Sequence, residues 1–180
     1  MTEDVAELAG GLADRLGWRT DECPAGRAME VVGTRSAILI LREAFFGTTR
    51  FDDFAERVDI TAAAASTRLR ELVEAGLLER SPYQEPGQRV RHEYRLTAMG
   101  RDLSPVVFGL YKWGSKYLYP DGQPPVEMSH TGCGDQLRIR VTCTAGHPVP
   151  LGEVTISPTP KRRRRQRAPA AAPTERAAAD

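Results

Sequence analysis

The chain is short of lysine, aromatics and cysteine, and it has no long apolar run. Only three of its 25 basic residues are lysine (Lys112, Lys116, Lys161). A coding-composition bias accounts for that as readily as a preference for bidentate phosphate contacts. The three cysteines, an odd number scattered from Cys23 to Cys143, do not form a disulfide framework and direct attention to metal or thiol chemistry. There is no stretch of eighteen apolar residues, and the first residues are acidic where a leader would be basic and then apolar. Neither a membrane span nor a secretory signal is therefore written here, and a cytoplasmic location is expected. A phosphate-binding glycine loop, a Gly-x-Ser-x-Gly elbow and a His-Glu-x-x-His pair are all missing, so no enzyme is expected. What is present, 41% hydrophobic and 27% charged residues in 180, is the mixture of a globular domain with appendages.

The net charge of +1 conceals an asymmetry. Residues 1–22 carry 2 basic and 6 acidic side chains, whereas residues 161–180 carry 7 and 2. The latter segment, with Arg162 to Arg165 and Arg167 followed by an Ala/Pro-rich stretch, cannot bury apolar surface and is expected to be disordered. It is either a flexible arm that binds phosphates without reading sequence or a tail without a role.

Periodicity divides the rest. Val5, Leu8, Leu12 and Leu16 predict an amphipathic helix over residues 1–17 that needs a surface to cover. A second helix is predicted from Pro24 to Gly33 and a third from Arg35 to Phe46, the two together forming the centre of the core. A short helix around Phe51 to Val58, a turn at Asp59 and Ile60, and a longer helix from Thr61 to Ala75 then follow helix-turn-helix grammar. Thr61 is its N-cap, and Gly76 is placed to end it in a left-handed conformation. Leu77 to Ser81, and Val90 to Leu96 alternating with Arg91, Glu93 and Arg95, predict a β-hairpin with a long polar tip. Residues 97–118 return to helical spacing, capped by Thr97 and kinked near Pro105. Leu137, Ile139 and Val141 alternate as a strand in a small unit over 121–160.

The expected fold is therefore mainly α with a β-hairpin wing (α+β): an N-terminal helix over 1–22, a winged helix-turn-helix domain over 23–120, a small β-containing extension over 121–160 and the basic tail. A helix fits the major groove of DNA, and a basic hairpin tip reaches the adjacent backbone or minor groove. On the presumed recognition helix the outward positions are Ala62, Ala63, Ser66, Thr67, Arg70 and Arg68, with Thr61 at its start. The arginines suit phosphate or a guanine edge, Ser66 and Thr67 suit phosphate or base, and the alanines offer only apolar contact such as thymine methyls. Arg89 and Arg91 on the wing, and Arg35 and Arg50 at helix starts, are further candidate contacts.

The stretches Cys23-Pro24, Ile38 to Glu43, Arg50-Phe51, Arg68 to Leu72, Gly76 to Arg80, Glu93 to Thr97 and Gly100-Arg101 resemble the HxlR-type winged-helix transcriptional regulators. The resemblance covers roughly residues 23–118. It implies a homodimeric DNA-binding regulator, a repressor, with the outer helices pairing across a two-fold axis and two recognition helices in successive major grooves of double-stranded DNA. In a bacterium it would be associated with the nucleoid. Three positions depart from the family pattern: Ser36 where a tryptophan is usual, Ala62 and Ala63 where polar or basic residues are usual, and a longer wing. The alanines keep open an alternative, a winged-helix module that mediates protein interaction or dimerisation without base-specific readout.

Cys23 matches the cysteine that some family members use to sense electrophiles or oxidants. The positive end of a helix favours its thiolate, against the plainer reading of an inert packed thiol. A small-molecule or electrophile effector is accordingly a candidate partner. His130-x2-Cys133 and Cys143-x3-His147, each adjoining a glycine, have the residue types of a structural zinc site. The other reading is the remnant of a lost one.

Overall fold

The computed structural model describes residues 5–14, 23–84, 86–119 and 123–159. The remainder of the predicted N-terminal helix and the Arg-rich tail lie outside the described residues. The chain divides into two compact units: Leu16–Pro150, and Met1–Arg15 together with Leu151–Asp180.

In the larger unit, α1 (Pro24–Val32) opens with proline in its first turn, where the missing N–H costs nothing. The expectation that α1 lies at the centre of the core is not met. Only Val32 is buried, while Met29 and Val31 are exposed. The core belongs to α2 (Arg35–Phe45), capped by the Thr34 hydroxyl accepting from Ala37 N at 3.2 Å, and to the next two helices. α3 (Phe51–Val58) has Asp52 and Asp53 in its first turn and Arg57 in its last, as the helix dipole favours. It ends at Asp59, left-handed at φ 55°. α4 (Ala62–Glu74) is capped by Thr61, whose hydroxyl accepts from Ala64 N at 3.2 Å.

Ala37, Ile40 and Leu41 of α2, Phe54 and Val58 of α3, and Ala65, Leu69 and Leu72 of α4 are shielded from solvent. Gly76 then turns the chain out of α4 at φ 75°, a conformation that costs glycine little, and Leu77 N closes the helix end on Leu72 O. β2 (Leu78–Tyr83) and β3 (Arg91–Leu96) form an antiparallel hairpin with Leu78 opposite Leu96 and Tyr83 opposite Arg91. A bridge between Arg50 and Glu93, and Tyr94 N donating to Thr49 O at 2.8 Å, fasten its stem to the entry of α3. Phe54 meets the Tyr94 ring edge-on at 6.3 Å, so the wing is braced by the same core that holds α4.

The predicted kinked helix over 97–118 is two helices. α5 (Ala98–Arg101) is capped by Thr97 accepting from Gly100 N, and α6 (Ser104–Tyr117) restarts with proline in its first turn. Pro105 has no N–H to give and its ring clashes with the carbonyl four residues back, so the helix restarts at the proline instead of bending through it. Gly100 is buried, and a Cβ there would stand 2.1 Å from Leu77 O. Only glycine allows α5 this close to the start of the hairpin. Phe45 and Phe108 pack at 5.8 Å between α2 and α6.

The strand predicted at Leu137 to Val141 does not form a ladder. Isolated bridges Ser129–Gln136 and Thr142–Pro148 flank it, Leu137 N donates to Met128 O and Val149 N to Val141 O, and among the described residues no ladder extends between them. This segment, through Pro150, falls in the same compact unit as the winged helix. In the smaller unit, residues 5–14 are likewise not helical. β1 (Glu7–Leu8) pairs in parallel with β4 (Thr155–Ile156), and a single 3₁₀ turn covers Gly10–Leu12. The apolar spacing was helical, but Gly10 and Gly11 interrupt it at about 1 kcal/mol each, and Gly10 is left-handed at φ 61°. Among the described residues no helix is long and apolar enough to cross a membrane.

Leu69→Ala is expected to destabilise the protein by about 2–5 kcal/mol. Gly100→Ala should also destabilise, by forcing α5 away from Leu77. Urea unfolding followed by far-UV circular dichroism measures both, and a Gly100→Ala midpoint equal to the parent would contradict the close approach.

Candidate nucleic-acid interface

The inward stripe of α4, Ala65, Leu69 and Leu72, fixes what the helix shows outside. Ala62, Ala63, Ser66, Thr67 and Arg70 are all exposed, as the 100° step per residue requires. Arg70 makes only a long contact to Glu74, 3.9 Å between two exposed side chains, and such pairs hold a side chain weakly. Its guanidinium is available to a partner.

Arg68 is placed differently from the sequence expectation. It is half-buried; its Nε donates to Ser36 Oγ at 3.2 Å and its Nη1 pairs with Glu71. Through these two bonds, one to Ser36 and one to the exposed Glu71, Arg68 joins α4 to the start of α2. Periodicity alone could not show this, because the deciding partner, Ser36, is 32 positions away in sequence.

Arg35 is exposed at the first position of α2, beside the Thr34 cap. Arg50 is exposed at the N-cap of α3 with its guanidinium 5.1 Å from the centre of the Tyr83 ring, a cation–π contact that ties helix entry to wing. On the wing, Arg89 and Arg91 are exposed, and Gln84 Nε2 donates to Gln88 O at 3.0 Å across the tip. Two more arginines of the hairpin were not among the candidate contacts. Arg80 meets His92 Nδ1 at 2.9 Å, and Arg95 grips Glu93 through two hydrogen bonds, which raise the Arg95 pKa further above its ordinary value. The alternation of β2 and β3 placed them on the strands but could not say which would be paired.

The model of the HxlR-like helix-turn-helix proteins matches residues 31–122. An uncharacterized HTH-type transcriptional regulator of Mycobacterium tuberculosis is 45% identical over 136 residues, 75% of this chain and 85% of that one. The chain belongs to the HxlR-like helix-turn-helix family. Another member, an uncharacterized HTH-type transcriptional regulator of Synechocystis, is 35% identical over 97 residues, 53% of this chain and 70% of its own length. Among solved structures, PA1607, described as a candidate transcription factor, superposes with a TM-score of 0.68 at 30% identity over 76% of this chain and 94% of that one. PA1374 of Pseudomonas aeruginosa gives 0.56 at 36% identity over 78% and 94%. The chain is thus an HxlR-type transcriptional regulator with the winged-helix fold read from its element order.

Around this HxlR-type domain the thiols occupy separate places. Cys23 sits at the N-cap of α1, half-buried, and caps with no side-chain hydrogen bond. In the extension, His130 Nδ1 lies 3.3 Å from Cys133 Sγ, within a turn closed by Gly134 N donating to His130 O. Cys143 and His147 close a second turn through Cys143 N donating to His147 O at 3.0 Å. The His130 and Cys133 side chains meet, whereas Cys143 and His147 are joined through their backbones. Among the described residues no group of three or more His, Cys, Asp or Glu is placed to hold a metal ion. The second turn has Gly146 at φ 84°, next to His147.

The backbone amides of His147 and Ala145 hold the exposed Cys143 thiol below its ordinary range. A lowered thiol pKa means thiolate at lower pH, so alkylation should reach its plateau at lower pH than a free cysteine. Iodoacetamide rates against pH, measured on a Cys23→Ser/Cys133→Ser variant, test this, and a profile matching free cysteine would show that the amides do not act on the sulfur.

Proposed function

We propose that the chain binds double-stranded DNA sequence-specifically as a homodimer and acts as a repressor in the cytoplasm. The observation that carries this is the joint placement of exposed contacts on the two elements that would meet a duplex. α4 presents Ser66, Thr67 and Arg70 from a helix whose opposite face is buried, and the hairpin presents Arg89 and Arg91. α4 suits the major groove, with Arg70 at a guanine edge or phosphate, and the wing arginines suit the flanking backbone or minor groove. Arg35 and Arg50 add phosphate contacts that position the protein without reading sequence. Arg68 supports this surface from within.

The dimer reading rests on an uncovered apolar stripe. Val106, Leu110, Trp113 and Tyr117 recur on α6 at spacings of four, three and four, and each is at least half exposed, with Trp113 at 57%. Met29 and Val31 of α1 add to the exposed apolar surface. A contiguous aromatic and aliphatic stripe of this kind is what a self-associating helix buries. Repression then follows from occupancy of DNA that a polymerase must use.

One observation favours the rival reading of an interaction module. Ala62, Ala63 and Ala64 put no hydrogen-bonding side chain at the start of α4. Selection of random duplexes on the full chain, with competitor DNA, separates the two. A palindromic motif with half-sites about one helical turn apart supports the regulator, and weak, steeply salt-dependent binding without a motif supports the module.

Given that motif, Arg70→Ala should weaken the specific site about 5- to 150-fold, corresponding to roughly 1–3 kcal/mol. Arg89→Ala should weaken all sequences alike and flatten the salt dependence. Trp113→Asp should leave a folded monomer by sedimentation analysis and lose the palindrome preference; a dimer persisting in that variant would sink the α6 interface.

A further inference from the structure

The charge at the end of α4 runs against a rule that its neighbours follow. A helix C-terminus favours cations, and α2, α3, α5 and α6 each place a basic residue in the last turn, Arg42, Arg57, Arg101 and Lys116. The last turn of α4 has no basic residue and holds Glu71 and Glu74. Glu71 is accounted for within the protein, because it pairs with Arg68, which Ser36 holds in turn. Glu74 is not. Its contact with Arg70 spans 3.9 Å between side chains that are 64% and 69% exposed, and pairs of that kind add almost nothing to stability. The order is also the weaker one, since glutamate supports a helix best when it precedes the basic residue and here it follows.

Where Glu74 stands on the helix points to its use. With Ala65, Leu69 and Leu72 turned inward, the 100° step per residue puts Ala63, Thr67 and Glu74 on the opposite side with Arg70 beside them, and all four are exposed. A carboxylate has no hydrogen to donate. Against a phosphate, or against the N7 and O6 acceptors of guanine, it only repels, whereas from the N4 amino group of cytosine it accepts a hydrogen bond. The Arg70 guanidinium has the opposite preference. One turn apart, the two groups match the acceptor edge and the amino group of a single G·C pair.

We infer that Glu74 is a specificity-determining residue: with Arg70 it reads one G·C pair, and its charge holds α4 off duplex that offers no amino group at that place. This rests on α4 being the helix that enters the major groove, as proposed above. An unmatched charge is a general means of rejecting wrong partners, and it suits the balance of these elements. α4 carries two arginines and two glutamates, and the hairpin from Leu78 to Leu96 four arginines against three glutamates. With so little net charge, the two elements lack the unselective phosphate affinity of a strongly basic surface, and discrimination falls to the individual groups that α4 presents.

The test is selection of random duplexes on the full chain and on Glu74→Gln, followed by fluorescence anisotropy with each recovered site and with unselected duplex. The parent motif should hold a G·C pair in each half-site whose exchange for A·T weakens binding about tenfold. In Glu74→Gln the preference at the cytosine should turn to adenine, whose N6 and N7 suit a glutamine amide. That variant should also bind unselected duplex about threefold more tightly, the Coulomb effect of one charge about 7 Å from a phosphate in water. Glu127→Gln, an equal neutralisation at an exposed position of the extension, is the control, and melting curves should show Glu74→Gln no less stable than the parent. A motif that Glu74→Gln leaves unchanged, or an equal gain on unselected duplex from Glu127→Gln, overturns the role of Glu74 and leaves the regulator standing. No motif from the parent overturns both.

Discussion

Leu69 and Leu72 of α4 are sealed in one cluster with Ile40 and Leu41 of α2, Phe54 of α3 and Leu78 at the base of the wing. This burial fixes the rotation of α4 about its axis, and nearly every other feature of the surface follows from it. A helix turned by one residue would put Ser66 and Arg70, or Arg68 and Glu71, into the core and Leu69 toward water. Each fully buried Leu contributes about 1.5–3 kcal/mol over exposure, so the register is strongly held and the outward set of side chains is held with it. The wing is braced by the same cluster through Phe54 and Tyr94, so the two elements that would meet DNA share one rigid support.

Charge has two uses in this chain, and the structure separates them. Glu43 is buried and satisfied by Arg42 and Thr48, binding the end of α2 to the turn after it. Arg68 is drawn in by Ser36 and Glu71, and Arg50 rests on Tyr83. These groups form the frame: a buried ion pair adds little net stability but is costly to break on one side only. Arg70, Arg89 and Arg91 remain on the surface, where a phosphate or base edge can compete for them. An Arg-rich sequence gives no hint of which arginine belongs to which group.

Much of the fold was legible because local and tertiary preferences agreed. Thr61 and Thr97 are caps with observed hydrogen bonds to Ala64 and Gly100, and Gly76 takes the left-handed turn expected of it. Where the two disagreed, apolar spacing misled. Val5, Leu8 and Leu12 kept helical period across Gly10-Gly11, yet two glycines and a short parallel pairing with Thr155 and Ile156 prevailed. Leu137, Ile139 and Val141 kept strand period without a partner strand. The candidate site was legible in part: Ser66, Thr67, Arg70, Arg89 and Arg91 are where the pattern put them, while Arg68 is not, and of the two His/Cys pairs His130 and Cys133 meet through their side chains.

The sequence by itself determined the element order from α1 through the wing, the Thr61 and Thr97 caps and the inward face of α4, because these depend on period, propensity and backbone chemistry within a few residues. Family membership is carried by the same short-range features. The tertiary structure alone decided which arginines are spent on the frame and that α5 must pass Leu77 with no Cβ between them. Those outcomes depend on side chains tens of positions apart arriving within a few ångströms of each other, and no local pattern encodes that distance.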